Sequence, residues 1–260
     1  MRKVKNWVLA ALALVVLGGI IAVITLAANG WNFKKFSEEN YTTKTYEVNE
    51  DFVNVSIDAI TTDVVFLPSA DGKCKVVAYQ EENTEYAVSV ADGTLNVQLV
   101  AEKKWYQEAF NFEEEKLTVY LPKTTYGTLT IDITTGDIEA KDILCERLNI
   151  DSTTGDVELK NVACKTLFTD GRTGDVELEN VVATESMYIE RTTGDVEFVR
   201  CDGAEITVKV TTGDVSGTLL TEKIFLADTS TGDKEIPQST TGGKCTISTT
   251  TGDIFIKIVK

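Results

Sequence analysis

The chain has 260 residues, of which 41 are acidic and 25 basic, and it carries a formal net charge of −16. A protein surface with this excess of acidic residues repels nucleic acid and anionic lipid, and it attracts cations or basic partners. Histidine is absent, which removes the commonest metal ligand and the commonest general base.

Residues 7–28 form an uncharged run of 22 residues near the N-terminus. As a helix this run would be about 33 Å long, enough to cross a bilayer core. The alternative is a cleavable signal peptide, whose apolar region is usually only about 7–15 residues long. Lysine and arginine at positions 2, 3 and 5 predict that residues 1–6 are a cytoplasmic tail. Both interpretations place the rest of the chain outside the cytoplasm. The first makes the chain a single-pass protein of the cell membrane.

Residues 29–50 are polar and predict a juxtamembrane linker. Alternating apolar residues begin at residue 51 and predict strands. The tetrapeptide Thr61-Thr62-Asp63-Val64 resembles the repeat described below without its glycine. We therefore expect degenerate coils over residues 51–128.

An aromatic and charged segment interrupts the alternation between residues 101 and 116. Its aromatic side chains are Trp105, Tyr106, Phe110 and Phe112. The segment is interpreted either as a contact loop for a partner or as a short cap that covers the open end of the repeats.

A Thr-Gly-Asp cassette occurs seven times at a period of 19 or 20 residues over residues 129–260. Its glycines are Gly136, Gly155, Gly174, Gly194, Gly213, Gly232 and Gly252. Its aspartates are Asp137, Asp156, Asp175, Asp195, Asp214, Asp233 and Asp253. A short, strict period is typical of one small unit stacked on copies of itself.

Apolar residues flank each glycine with a period of two. In the first copy they are Leu129 and Ile131 before Gly136, and Ile138 and Ala140 after it. This pattern predicts two half-buried strands joined at a glycine corner. A meander of antiparallel hairpins is the alternative, but one corner type and a near-constant period favour an all-β parallel solenoid.

Three further expectations follow from this register. The threonine before each glycine, such as Thr135, should point inward and stack as a hydroxyl ladder. The last coil should leave an edge strand that Lys257 and Lys260 protect from aggregation. The odd number of cysteines, five in all, should be buried small side chains, with Cys145 and Cys164 as neighbours.

The seven aspartates should stack outward about 4.8 Å apart and repel one another. A second outward row should contain Glu139, Glu158, Glu177, Glu197 and Glu235. Backbone N–H groups at each corner could bind the aspartates and offset the repulsion. Bridging calcium ions are the other explanation, because calcium accepts oxygen ligands in flexible geometry. No other cofactor is expected.

The N-terminal span, the Leu121-Pro122 strand end and the repeated TTGD[IV]E cassette together resemble a bacterial family of membrane-anchored β-strand-repeat proteins. The family is a domain of unknown function whose members are catalogued as "putative adhesins". The resemblance covers roughly residues 50–260 and implies a single-stranded, right-handed solenoid of the parallel β-helix kind outside the membrane. It also implies links to adhesion or envelope stress. It supplies no functional residues.

Two classes of function remain open at this point. The first is a non-enzymatic module of the cell envelope that contacts wall polymer, a membrane protein or another cell. The second is a polysaccharide-cleaving enzyme, with Asp175 and Glu177 as the acid pair and Arg172, beside Asp170, as the unusual charge. The pair recurs in other repeats, as Asp156 and Glu158 for example, so we expect a non-enzymatic protein.

Overall fold

The computed structural model describes residues 41–82, 84–100 and 115–259. Within those ranges no helix has both the length and the apolar character needed to cross a membrane. The span at residues 7–28, the tail before it, and the aromatic residues Trp105, Tyr106, Phe110 and Phe112 all lie outside the described residues.

Twenty strands make up the described part of the chain. Those before the regular repeats are β1 (Tyr41–Val48), β2 (Asn54–Thr61), β3 (Asp63–Pro68), β4 (Cys74–Glu81), β5 (Tyr86–Ala91), β6 (Thr94–Leu99) and β7 (Lys116–Leu121). The first four repeats supply β8 (Thr125–Thr135), β9 (Ile138–Lys141), β10 (Leu144–Thr154), β11 (Val157–Lys160), β12 (Ala163–Thr173), β13 (Val176–Glu179) and β14 (Val182–Thr193). The remaining strands are β15 (Val196–Thr212), β16 (Val215–Leu219), β17 (Lys223–Thr231), β18 (Lys234–Glu235), β19 (Gly243–Thr251) and β20 (Ile254–Ile258).

Each repeat is one coil, with a long strand before its glycine and a shorter strand after it. The long strands form sheet 1 in the order β5-β6-β2-β8-β10-β12-β14-β15-β19-β17. The short strands form sheet 2, and β15 bends so that it belongs to both sheets. Equivalent positions pair in parallel, as Leu148 does with Leu129 and Leu167. This confirms the all-β, solenoid-like architecture.

The core lies between the two sheets and follows the predicted alternation. Leu129, Ile131, Ile138 and Ala140 are all buried, and their counterparts in the next three coils are buried as well. At about 25 cal/mol per Å² of apolar surface removed from water, stacked rows of this kind are the main stabilising contribution.

The glycine corner is required by close backbone stacking as well as by backbone angle. Gly174 has φ +128°, and a Cβ added there would lie 2.1 Å from the carbonyl oxygen of Gly155. The same contact recurs around Gly155, where the added Cβ would lie 1.9 Å from the Gly136 oxygen. Every other residue type would push two coils apart.

A second corner, which the sequence interpretation missed, uses no glycine. Asp142, Asn161 and Asn180 have φ of 55°, 53° and 53°, a region that Asn and Asp tolerate better than other side chains. The Asn161 amide donates to Asp142 at 2.9 Å, and the Asn180 amide donates to Asn161 at 3.2 Å. The sequence does contain a signal for this corner, because an Asp or Asn follows each of the first three repeat glycines by six residues.

The chain order is exchanged at both ends of the stack. Strands β19 and β20 insert between the β15–β16 coil and the β17–β18 coil. Likewise, β2 and β3 lie between β6–β7 and β8–β9. The predicted terminal edge was wrong for β19, because β17 lies outside it along its whole length. Strand β18 pairs only with Ile254 and Phe255 of β20, so Lys257 lies beyond the part of β20 that β18 covers.

The start of the domain also differs from the predicted boundary. Strand β1 lies inside the segment assigned to the linker at residues 29–50, and it pairs antiparallel with β4. Strand β4 pairs antiparallel with β7, and β5 with β6. Parallel stacking thus stops at the N-terminal end of the domain, where antiparallel strands take over. Val76 and Ala78 of β4 are fully buried there.

The threonines before the glycines are exposed, so their predicted inward orientation was wrong. The inward position closest to the corner lies two residues earlier. There the hydroxyl of Thr249 donates to the Gly213 carbonyl at 3.1 Å, and that of Thr229 donates to the Gly252 carbonyl at 2.9 Å. The in-and-out alternation of the long strand therefore ends at that position, and both threonines before the glycine are exposed.

All five cysteines are buried free thiols. Burial raises the pKa of Cys145 to about 12 and that of Cys164 to about 11. Since the thiolate is the reactive form, these side chains serve as core residues.

Candidate interaction surfaces

The aspartates after the glycines form a continuous chain of hydrogen bonds, which we call the corner ladder. The backbone N–H of Asp156 donates to Asp137 Oδ1 at 2.8 Å, and that of Asp175 donates to Asp156 Oδ1 at 2.7 Å. The ladder runs through Asp63, Asp137, Asp156, Asp175, Asp195, Asp214, Asp253 and Asp233. The prediction that corner N–H groups bind these carboxylates is confirmed from Asp137 to Asp253, and Asp233 ends the ladder as a donor.

The corner ladder also shows that Asp63 belongs to the repeat although its coil lacks the glycine. Thr61 pairs with Thr135, and Val64 pairs with Ile138. Asp63 Oδ1 accepts from the Asp137 N–H at 2.9 Å. The degenerate cassette in the sequence was thus a correct signal for the first coil.

Sheet 2 presents a glutamate row beside this ladder. Glu139, Glu158, Glu177 and Glu197 are in register on successive strands. Glu235 is separated from them because it pairs with Phe255. Three glutamates of the row and three aspartates of the ladder line a groove of 270 Å³, and Lys116 lines it as well.

No cluster of three or more His, Cys, Asp or Glu residues within the described ranges is arranged to hold a metal ion. Each carboxylate of the corner ladder from Asp63 to Asp253 already uses one oxygen for a backbone N–H. The calcium hypothesis for the ladder stays a prediction.

Sheet 1 carries a second row of stacked carboxylates, which we call the acid row. It consists of Asp58, Asp132, Asp151, Asp170 and Glu190 on five successive strands. Burial, and then the neighbouring carboxylates of Asp170 and Asp132, raise the pKa of Asp151, while the Arg191 cation opposes this shift. The sequence analysis missed the row, although an acidic residue four positions before each of the first four glycines was visible.

A stacked aromatic pair, one ring exposed and the other half-buried, lies next to the acid row on the same face. The rings of Phe168 and Tyr188 stack with centroids 5.3 Å apart and an interplanar angle of 6°. Lys209 Nζ lies 5.1 Å from the centre of the Tyr188 ring and donates to its hydroxyl at 2.9 Å. Phe168 is 37% exposed, so this part of sheet 1 offers a flat apolar surface beside negative charge.

A buried arginine lies beneath this face. Arg191 is 1% exposed, and its Nη1 donates to the Glu190 carbonyl at 3.1 Å. Its Nε and Nη2 have no hydrogen-bond partner among the described residues, and neither have the hydroxyls of Ser152 and Thr169. Gly171 provides the space, since a Cβ there would lie 2.3 Å from Arg191 Nη1.

The acid pair considered for catalysis is part of the repeated surface. Asp175 Oδ1 accepts the Asp195 N–H at 2.7 Å, and Glu177 pairs in register with Glu158 and Glu197. Arg172 is exposed before the corner. A catalytic pair requires two carboxyl groups in different environments, whereas these environments repeat from coil to coil.

One solved structure that resembles the chain is a "putative adhesin" from Bacteroides fragilis, with 20% identity, 85% of this chain and 97% of that chain covered, and a TM-score of 0.49. Another is a "putative lipid binding protein" from Parabacteroides distasonis, with 14% identity, coverage of 84% and 98%, and a TM-score of 0.48.

Those names describe the two solved proteins. A search of curated proteins finds no match. A family model, Toastrack DUF4097, matches residues 52–260, a range that includes every coil and both charged faces. The repeated Thr-Gly-Asp coils and this match together show that the chain belongs to the Toastrack DUF4097 family.

Proposed function

We propose that this chain is a non-enzymatic module of the bacterial cell envelope that binds a cationic protein segment along the outer face of sheet 1. The observation that carries the proposal is the exposed Phe168–Tyr188 stack beside the acid row. An aromatic ring next to carboxylates suits lysine and arginine, because their cations pair with the acids and their stems and guanidinium planes pack on rings.

Anchorage is part of this proposal. Residues 7–28 would hold the module at the cell membrane as a single-pass helix, with the N-terminus in the cytoplasm and the repeats outside. The linear, repeated arrangement of charge supports contact with an extended segment. Adhesion to a neighbouring surface and sensing of envelope stress are the two roles that such contact could serve.

The test is binding of the full-length chain in detergent to membrane extracts and to wall material, at low and at high salt. We expect capture of a basic protein at low salt that is lost at high salt, since exposed charges are screened. Phe168→Ser should weaken this binding about fivefold or more, the usual effect of truncating an aromatic anchor.

Phe255→Ser is the matched control, because Phe255 is 36% exposed on sheet 2. Equal binding by both variants and the original chain would contradict the proposed face. Capture of wall material alone would assign the partner to a polymer. Turnover of a wall glycan that Arg172→Ala or Asp175→Asn abolishes would establish the enzymatic alternative.

A further inference from the structure

The exchanged strand order at the C-terminal end of the stack leaves an apolar edge. Strand β17 pairs with β19 on one side and has no strand partner on its other side among the described strands. Its N–H and C=O groups on that side form a template for another strand. Another extended strand can pair with the whole row of these groups.

The side chains of β17 match this open backbone. Ile224 and Leu226 point outward and are 43% and 53% exposed. Phe225 and Ala227 point inward but are only partly buried. Their neighbours one coil further in, Cys245 and Ile247, are each 1% exposed, so the core is open at this end.

Charge does not protect this edge. Lys223 turns inward and binds Asp202 at 2.6 Å, with 4% of its side chain exposed. Lys234 lies 3.8 Å from Asp228, so both lysines face acidic side chains of this chain. Residues 224–227 carry no charge, although the whole chain has a net charge of −16.

We propose that β17 pairs antiparallel with β17 of a second copy of this chain and forms a two-fold symmetric dimer. In the register centred on Leu226, each Leu226 faces the other and each Ile224 faces Asp228 of the copy. No like charges are then directly opposed. A two-fold axis perpendicular to sheet 1 makes the two copies of this sheet continuous and keeps their outward side chains on the same face. The partly open cores of the two copies are then in contact with each other.

The geometry favours a copy over the chain's own undescribed segments. Strand β1, which follows residues 1–40, and strands β6 and β7, which flank residues 101–114, lie at the other end of the two sheets. The proposal is independent of the cationic partner on sheet 1, because it concerns only contact between two copies of the edge.

The test is sedimentation velocity of the full-length chain in detergent over a range of concentrations and salt. We expect a monomer–dimer equilibrium that strengthens with salt, because salt screens the repulsion between two acidic chains. Leu226→Lys should weaken dimerisation at least tenfold, since lysine on an edge opposes pairing.

Val199→Lys is the control, because Val199 is 39% exposed on an interior strand; this variant should dimerise like the original chain. Leu226→Cys adds an accessible thiol while the native cysteines stay buried, and it should form a disulfide-linked dimer under mild oxidation. A monomer at all concentrations, growth beyond dimers, or equal dimerisation of both lysine variants would overturn the proposal.

Discussion

The corner glycines show how one backbone contact dictates a residue type. Replacing Gly174 by alanine would place a Cβ 2.1 Å from the Gly155 carbonyl oxygen. We expect Gly174→Ala to lower the free energy of unfolding by about 3 kcal/mol or more, because both strain at positive φ and separation of two coils contribute.

Gly72→Ala is the control for this prediction, measured by urea unfolding of both variants. Gly72 also has a positive φ, +76°, but nothing lies within 4 Å of an added Cβ. It should cost only about 1 kcal/mol, the usual penalty for alanine in this region. Equal losses in the two variants would show that backbone angle alone selects glycine.

Arg191 is a second residue whose environment is unusual. Burial lowers its pKa, against the opposing fields of Asp170, Asp151 and Asp156. Arginine nevertheless stays charged in proteins, so the fold retains a cation with two nitrogens that have no hydrogen-bond partner in the described part of the chain. We expect Arg191→Met to be neutral or to stabilise by about 1–4 kcal/mol, as when buried ions are replaced by apolar side chains.

Thermal unfolding of Arg191→Met and of Arg191→Lys checks this expectation. Lysine should be less stable than methionine, because it keeps the buried charge while losing the planar contact above Gly171. A large loss of stability in the methionine variant would show that the guanidinium makes bonds that hold neighbouring coils together.

Among the elements, the acid row of sheet 1 opposes its own stacking. Adjacent unit charges about 4.8 Å apart repel by about 0.9 kcal/mol even in water. We expect Asp151→Asn to raise Tm at neutral pH by a few degrees, since about 1 kcal/mol shifts Tm by 2–4 °C in a domain of this size.

The raised pKa of Asp151 fixes the sign of the pH dependence. The folded chain holds this proton more tightly than the unfolded chain, so the unfavourable contribution of Asp151 grows as pH rises from its unfolded pKa through its folded pKa. The Tm advantage of Asp151→Asn should therefore shrink as pH falls through that window. An advantage that grows on acidification would contradict the repulsion.

The corner ladder differs from the acid row because backbone N–H groups bind its carboxylates. We expect calcium chloride and sodium chloride of matched ionic strength to raise Tm equally, through screening alone. A larger effect of calcium, removed when Asp156 and Asp175 are both replaced by asparagine, would instead establish the calcium ladder. Asparagine retains the oxygen that accepts each N–H, so this variant should fold.

For the whole molecule, the proposed anchor at residues 7–28 would decide where the coils work. We expect the full-length chain to fractionate with membranes and to resist extraction by high salt, because residues 7–28 would span the apolar core. Fractionation followed by N-terminal sequencing checks this. Recovery in the medium with a new N-terminus near Asn29 would establish a signal peptide.

The sequence by itself determined the repeating unit. The Thr-Gly-Asp period placed the corner, and the alternation of apolar residues placed Leu129, Ile131 and Ile138 in the core, because a strand exposes its two faces in turn. The stacked aspartates also followed, since equal positions of successive coils must be neighbours. The asparagine corner and the acid row were readable at fixed offsets and were overlooked.

Only the tertiary structure decided how the coils are ordered at the two ends. The β17 and β19 coils both carry the Thr-Gly-Asp corner, so this motif does not distinguish β19 from β17 as the neighbour of β15. That choice depends on contacts between distant strands, and it covers β19 while exposing Ile224 and Leu226. The free edge of the protein is consequently a property of its topology, whereas each coil is a property of its sequence.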